Sequence, residues 1–147
     1  MQKLIFPEFT PRLKKVGDKQ AIFDIVRKKY IIITPEEIVR QHLIHFLINE
    51  LHYPKSMISV EDGMNVNSMM KRSDVVVYNR EGKVFLAAEC KSTKVKLTQK
   101  SMNQLSVYNQ HYQAEFLALT NGLDAFICKM DYDQKKADFI PEFPVYQ

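Results

Sequence analysis

Short runs of apolar residues along the chain follow the two-residue period of β-strands, in which neighbouring side chains point to opposite faces. The clearest are DVVVY at 74–78 and KVFLAA at 83–88, and the turn residues between them predict a hairpin. Further strands are predicted at residues 29–33, 57–61, 115–120 and 125–129. The tail is expected to form a last strand or an ordered coil.

Two longer segments follow the helical period of about 3.6 residues. In the first, Thr34 is a good N-cap, Pro35 suits the first helical position and Glu37 completes a capping box. The second helix is predicted over 99–112, with Thr98 as its cap. The apolar faces available for packing consist of Val39, Leu43, Phe46, Leu47 and Leu51 in the first helix and of Met102, Leu105 and Tyr112 in the second.

The first turn of the first helix contains two glutamates, which the helical phase distinguishes. Glu36 lies three residues before Val39 and seven before Leu43, so it continues the inward face, whereas Glu37 lies toward its edge. This phase predicts Glu37 as a capping residue and Glu36 as an internal one. The alternative for Glu36 is a surface ion pair with Arg40, four residues later.

These elements predict one α/β domain over residues 1–147, a normal length for a domain with its own core. Residues 1–21 are expected to form an N-terminal arm anchored by Phe6 and Phe9, followed by a core over about 22–130 and a C-terminal extension over 131–147. No apolar run approaches the roughly 20 residues needed to span a bilayer, and the first residues lack a signal-peptide pattern, so a cytoplasmic protein is expected.

Cysteine usage indicates the redox compartment, and net charge indicates which kinds of partner are compatible with the chain. Cys90 and Cys128 each lie inside an apolar run, which is typical of small buried side chains in a reducing compartment rather than of a disulfide. The net charge of +4 is compatible with an anionic partner but does not by itself identify one.

Charged residues set the 74–88 hairpin apart. Asp74 begins its first strand, and Glu89-Cys90-Lys91 ends the second, so Glu89 and Lys91 should share a face while Cys90 points into an apolar layer. A two-residue loop at 81–82 would set Asp74 directly opposite Glu89, with Cβ atoms about 5 Å apart. A three-residue loop without a bulge would put the two carboxylates on opposite faces.

Two carboxylates on one face can hold a hard divalent cation such as Mg²⁺ or Mn²⁺. A lysine beside them can hold or help deprotonate the attacking water and offset charge on a phosphate, so Asp74, Glu89 and Lys91 suit phosphodiester hydrolysis. Three acid-x-Lys triplets occur in the chain, at 81–83, 89–91 and 133–135. Only the second ends a buried strand, and a structural charge pair is the alternative explanation for it.

The order of a helix Glu, a strand Asp, a hairpin, a strand Glu-x-Lys and a helix Gln-x-x-x-Tyr resembles the PD-(D/E)xK nuclease superfamily. It is most similar to the N-terminal nuclease domain of the R subunit of type I restriction enzymes. The matching segments are TPEEIVRQHLIHFLI (34–48), HYPKSMISVE (52–61), RSDVVVY (72–78), AAECKS (87–92) and QLSVY (104–108). The resemblance implies a restriction-endonuclease-like core with a central mixed β-sheet flanked by helices in the order αβββαβ.

The resemblance also implies roles for individual residues. Asp74 and Glu89 would be metal ligands, Lys91 the catalytic lysine and Glu36 the helix acid, with Glu37 left open as the alternative acid. Ser73 stands where the superfamily motif has its proline. The pair that would support catalysis and DNA contact consists of Gln104 and Tyr108.

The resulting hypothesis is a Mg²⁺-dependent deoxyribonuclease with DNA as its partner. Lys94, Lys96 and Lys100 would form a phosphate-guiding rim, although a solvated basic face is their ordinary explanation. R subunits carry an ATP-driven translocase, but this chain has no Gly-x-x-x-x-Gly-Lys motif. The expectation is therefore either a stand-alone nuclease or a domain whose motor or specificity subunit is a separate polypeptide. The competing hypothesis is a catalytically inactive nucleic-acid-binding or assembly module of a restriction or DNA-repair system.

Overall fold

The structure, a computed structural model, describes residues 3–60 and 75–147. Their nine strands are β1 (Leu13–Val16), β2 (Lys19–Asp24), β3 (Lys29–Ile32), β4 (Ile58–Val60), β5 (Val75–Tyr78), β6 (Val84–Cys90), β7 (Phe116–Thr120), β8 (Ala125–Asp131) and β9 (Lys136–Ile140). The α-helices are α1 (Pro35–His45), which continues into a π-helical turn (Phe46–Glu50), and α2 (Gln99–Tyr112); a 3₁₀ turn (Lys55–Met57) precedes β4.

Six strands form a mixed sheet in the order β4-β5-β6-β7-β8-β9. The β6–β7 pair is parallel, and the other neighbouring strands in this sheet are antiparallel. A parallel pair needs a crossover connection, and α2 supplies it between β6 and β7. The carboxyl ends of β6 and β7 therefore lie at the same edge of the sheet.

Capping side chains set the starts of both helices, as predicted. The hydroxyl of Thr34 accepts a hydrogen bond from the Glu37 amide at 3.0 Å, and that of Thr98 accepts one from the Ser101 amide at 3.1 Å. The described strands and helices between residues 29 and 130 lie close to their predicted bounds.

Two apolar clusters cover the two faces of the sheet. Val39, Leu43 and Leu47 of α1 pack with sheet residues that include Ala88 and Cys90. Met102 and Leu105 of α2 pack in the other cluster with Ala87, Leu117 and Leu119. Alternate residues of β6 therefore face different helices, as the strand period requires.

The prediction that residues 1–21 form an arm is wrong for the second half of that range, which contains strands. Leu13–Val16 and the residues from Lys19 onward pair as strands, and β1, β2 and β3 form an antiparallel three-stranded sheet. Val16 is opposite Lys19, so Gly17-Asp18 forms a two-residue hairpin loop, and Gly17 has the positive φ of 66° that such a loop requires. Phe6 is buried in the core, as an anchor should be.

Both cysteines are buried free thiols, as predicted. In the described parts of the chain, no helix is long and apolar enough to cross a membrane.

Candidate functional site

Glu89 and Lys91 meet at the end of β6. Glu89 is 8% exposed, and the Lys91 ammonium lies 3.0 Å from its carboxylate oxygen Oε2. Cys90, between them, packs into the apolar cluster of α1 on the other face, as predicted. The Lys91 side chain is 33% exposed, so a buried carboxylate and an accessible cation are held together at the edge of the sheet.

The register of the β5–β6 hairpin is the predicted one near this edge, although its loop is not. Val75 is opposite Ala88 and Val77 is opposite Leu86, which is the pairing expected from a two-residue loop. The Asn79 amide instead donates to the Lys83 carbonyl at 2.8 Å, which leaves a three-residue loop. A bulge between the pairs Val77–Leu86 and Tyr78–Val84 compensates for the extra loop residue.

Phe85 is the residue that this bulge adds to β6. It packs in the same cluster as the adjacent Leu86, which two neighbouring residues of a regular strand do not do. The loop is therefore the three-residue alternative, but the bulge keeps over Val75–Val77 the register that a two-residue loop would give. Asp74, the residue before Val75, lies outside the described residues.

Hydrogen bonds connect the segment after β6 with the end of β7 and with the turn that follows β7. The Lys91 amide donates to the Thr120 carbonyl of β7 at 2.8 Å, which extends the parallel ladder past the end of β6. The Asn121 side-chain amide donates to the Val95 carbonyl at 2.8 Å, and the Thr120 hydroxyl donates to the Asp124 carbonyl at 2.7 Å. The segment after Lys91 is thereby tied to the turn after β7.

The two helix glutamates have the opposite environments to those predicted. Glu37, expected as a capping residue at the edge, is 4% exposed, whereas the Glu36 side chain, expected to be internal, is 41% exposed. Glu36 makes the ion pair that was the open alternative, with its Oε1 atom 2.9 Å from Arg40 Nη2. The phase within α1 does not distinguish the two residues because Glu37 is buried by Arg27 of the β2–β3 connection, a partner outside the helix.

Glu37 belongs to a buried charge network that the sequence analysis missed. Its carboxylate accepts hydrogen bonds from Arg27 at 2.8 Å, from Gln41 at 3.0 Å and from Arg40. Gln41 also donates to Asp24 at 2.9 Å, and the Arg27 Nε atom lies 2.7 Å from Asp24 Oδ2. Two carboxylates, two guanidiniums and an amide thus tie α1 to the turn after β2. The sequence carried no signal for it beyond the spacing of Glu37 and Arg40.

Burial alone would raise the pKa of the Asp24 carboxyl, but hydrogen bonds from the Arg27 backbone amide, the Arg27 guanidinium and Gln41 outweigh burial and hold that pKa below its ordinary value. Asp24 is completely buried and therefore carries its charge inside the fold. Its hydrogen bonds go to the turn after β2 and to Gln41 of α1, which assigns it to stability rather than to the Glu89–Lys91 pair.

The remaining predicted site residues lie on α2 and on the segment that precedes it. Gln104, Lys94, Lys96 and Lys100 are exposed, and Tyr108 is one turn after Gln104 on the same helix. In the described ranges no carboxylate forms an ion pair with the three lysines. Exposure fits a phosphate-guiding rim and a solvated face equally well.

Within residues 3–60 and 75–147, no three His, Cys, Asp or Glu side chains form a group that could hold a metal ion. Glu89 is the predicted metal ligand within these ranges, and Asp74, its predicted partner, is outside them.

A family model and a solved structure match this chain. None of the curated proteins with which the sequence was compared matches it. A solved structure of the type IIG restriction endonuclease BpuSI is similar, with 20% identity, a TM-score of 0.38 and coverage of 68% of this chain but 11% of that chain. The family model described as "Type I restriction enzyme R protein N terminus (HSDR_N)" matches residues 35–144, from the start of α1 to beyond β9. Because this match covers well over half of the sequence, the chain belongs to the family of type I restriction enzyme R protein N-terminal domains.

Proposed function

We propose that this protein is a metal-dependent endonuclease that hydrolyses phosphodiester bonds of DNA. The observation that carries the proposal is the Glu89–Lys91 pair at the end of a central buried strand, 3.0 Å apart, in a chain of the type I restriction R protein family. A buried carboxylate is costly at such a position unless its charge is compensated, and Lys91 compensates it here with an ammonium that stays partly exposed.

The donor chemistry fits a magnesium ion. Mg²⁺ prefers oxygen ligands, keeps several of its waters and is commonly bound through one or two carboxylates together with substrate phosphate. Glu89 and Asp74 would hold it, because Asp74 directly precedes Val75 and the register of Val75 with Ala88 is the one this proposal requires. A bound Mg²⁺ would polarise the phosphoryl oxygen and lower the pKa of a bound water.

Lys91 would act on the attacking water and on the phosphate. Its ammonium is partly exposed and can reach a substrate while staying beside Glu89. In the reaction the water oxygen forms a bond to phosphorus, the bond from phosphorus to the leaving oxygen breaks, the water gives up a proton and the leaving oxygen gains one. Lys91 would orient that water, help to remove its proton and offset charge on the phosphate.

Glu36 would assist from the start of α1, and its accessible side chain suits this role better than that of Glu37, which is committed to Arg27, Arg40 and Gln41. Gln104 and Tyr108 on α2 would support catalysis and DNA contact. The exposed rim consisting of Lys94, Lys96 and Lys100 would attract the DNA backbone.

Cleavage as proposed needs no nucleotide. The 147 residues contain no Gly-x-x-x-x-Gly-Lys phosphate-binding motif, so any ATP-driven translocation that accompanies cleavage would be supplied from outside these residues.

The test is cleavage of supercoiled plasmid DNA in Mg²⁺ or Mn²⁺ by the wild type, Lys91→Ala and Lys83→Ala. Lys83 belongs to an acid-x-Lys triplet with the same spacing but lies in the exposed hairpin turn, so it is the matched control. We expect metal-dependent nicking by the wild type and Lys83→Ala, and a loss of roughly 10²–10⁴-fold in Lys91→Ala. A wild type that binds DNA but cuts no better than Lys91→Ala would instead support the inactive binding module.

A further inference from the structure

The three-stranded sheet precedes the region that the family model matches and has one strongly basic face. Arg12 directly precedes β1, and its carbonyl accepts a hydrogen bond from the Phe23 amide at 2.9 Å. Strand alternation therefore places Arg12 and Lys14 on the same face as Phe23 of β2 and Tyr30 of β3. We call these four residues the outer face of the N-terminal sheet. The opposite face points toward α1, because Leu13 and Ile22 line one cavity together with Ile38 and His42 of that helix.

Aromatic rings hold the two cations of the outer face. The Arg12 guanidinium carbon lies 4.2 Å from the centre of the Phe23 ring, and the Lys14 ammonium lies 4.3 Å from the centre of the Tyr30 ring. The two rings contact each other edge to face, 5.3 Å apart. Arg12 and Lys14 are exposed, and among the described residues no carboxylate pairs with either. Two preorganised positive charges are therefore presented without an anionic partner in the described fold.

The charge of the chain is concentrated in this sheet. Residues 12–32 contain seven Lys and Arg and two Asp, a net charge of +5, whereas the entire chain has a net charge of +4. The remaining residues together are therefore slightly acidic. Arg27 and Asp24 neutralise each other in the buried network, so the positive excess stays with exposed residues. Of these, Arg12, Lys14 and Lys19 share the outer side of the sheet, whereas Lys15 and Lys29 alternate to the opposite side and Lys28 lies in the turn after β2.

We propose that the outer face of the N-terminal sheet binds the phosphate backbone of duplex DNA. The choice of DNA rests on the proposed function. Binding through phosphates is favoured over base stacking because each ring already has a cation over it, so Phe23 and Tyr30 orient charges instead of offering free stacking platforms. Arg12 and Lys14 are two residues apart on one strand face, about 6.6 Å along the chain, and can contact neighbouring phosphates together.

The experiment measures binding of the full chain to a fluorescein-labelled DNA duplex by anisotropy in EDTA, over about 50–200 mM salt. The test variant is Arg12→Gln/Lys14→Gln, and the matched control is Lys83→Gln/Lys135→Gln, which removes two exposed lysines from hairpin turns of the six-stranded sheet. We expect the test variant to bind about tenfold more weakly and to lose about 1–2 units of the slope of log K against log salt. The control should match the wild type.

An unchanged affinity and salt slope in Arg12→Gln/Lys14→Gln would overturn the proposal, as would tighter binding to a single-stranded oligonucleotide than to the duplex. Circular dichroism and thermal melting report whether the variant is folded. If it is not, Lys19→Gln/Lys28→Gln removes charge from the ends of the same sheet without touching the ring contacts, and it must then weaken duplex binding for the proposal to stand.

Binding and cleavage separate this inference from the proposed function. Loss of duplex binding in the test variant of a wild type that does not cut would support the inference and contradict the nuclease. Normal binding by the test variant of a wild type that does cut would contradict the inference and leave the nuclease intact.

Discussion

The Lys91 ammonium lies 3.0 Å from the Glu89 carboxylate, at the rim of a strand that is otherwise apolar. A divalent ion held by Glu89 would therefore have a positive charge close beside it. Lys91 would weaken metal binding by repulsion while contributing to the chemical step, so the two effects should be separable in one variant.

Lys91→Ala is expected to bind Mn²⁺ several-fold more tightly than the wild type, although it loses cleavage. The physical reason is the removal of a like charge at short range, worth on the order of 1 kcal/mol at 4 Å even with the dielectric constant of water. Isothermal titration calorimetry with Mn²⁺ measures this affinity, with Lys83→Ala as the control that should titrate like the wild type. Weaker Mn²⁺ binding by Lys91→Ala would contradict the account, because it would make Lys91 a structural support of the site.

Glu36 and Glu37 should separate activity from stability. Glu37→Gln removes the carboxylate that Arg27 and Arg40 share, although Arg27 keeps Asp24 and Arg40 keeps Glu36, so we expect a loss of about 1.5–3 kcal/mol in the free energy of unfolding. Glu36 is 41% exposed, so Glu36→Gln should cost no more than about 1 kcal/mol but should reduce DNA cleavage. Urea denaturation and plasmid cleavage measure the two quantities.

The assignment of the helix acid fails if Glu36→Gln cleaves as fast as the wild type. It also fails if a Glu37→Gln variant, assayed at a temperature at which it is folded, shows the larger loss in cleavage rate per folded molecule.

The stability contributed by Asp24 should depend on pH. Its pKa in the folded state is depressed, so its contribution is fully present above the pKa of the unfolded state, near the ordinary value of 3.8, and is lost as the pH falls through that value toward the folded pKa. The difference in unfolding free energy between wild type and Asp24→Asn should therefore shrink as the pH falls below about pH 4. Urea titrations across this range measure it.

The exposed residue Asp133 provides the control for this prediction, because Asp133→Asn should leave the stability curve close to that of the wild type throughout. A wild-type advantage over Asp24→Asn that increases as the pH falls would contradict the assigned direction of the shift.

Local signals predicted the elements that hold the candidate site. Thr34 and Thr98 marked both helix starts because a cap is a short-range interaction between a side chain and the amide three residues later. Strand alternation predicted that Glu89 and Lys91 share a face and that Cys90 points into the core. The length of the β5–β6 loop was harder to predict, because a three-residue loop with a bulge and a two-residue loop give the same register over Val75–Val77.

Other features depended on contacts between distant residues. β1 and β2 were missed because Leu13–Val16 are all exposed, which leaves no hydrophobic alternation to detect, although the Gly17-Asp18 turn signal was present. The burial of Glu37 follows from Arg27 and Asp24, which belong to that undetected hairpin and the turn after it. A helical phase counted within α1 alone contains no information about those partners.

We propose that Asp74 and Glu89 hold one divalent ion beside Lys91. The most direct measurement is the anomalous scattering of Mn²⁺ in crystals of the protein, with Glu89→Gln crystals treated identically. The account predicts one Mn²⁺ bound by carboxylate oxygens of both Asp74 and Glu89, and its absence from Glu89→Gln. Carboxylates directed to opposite faces of the sheet, or a Mn²⁺ that persists without Glu89, would contradict it.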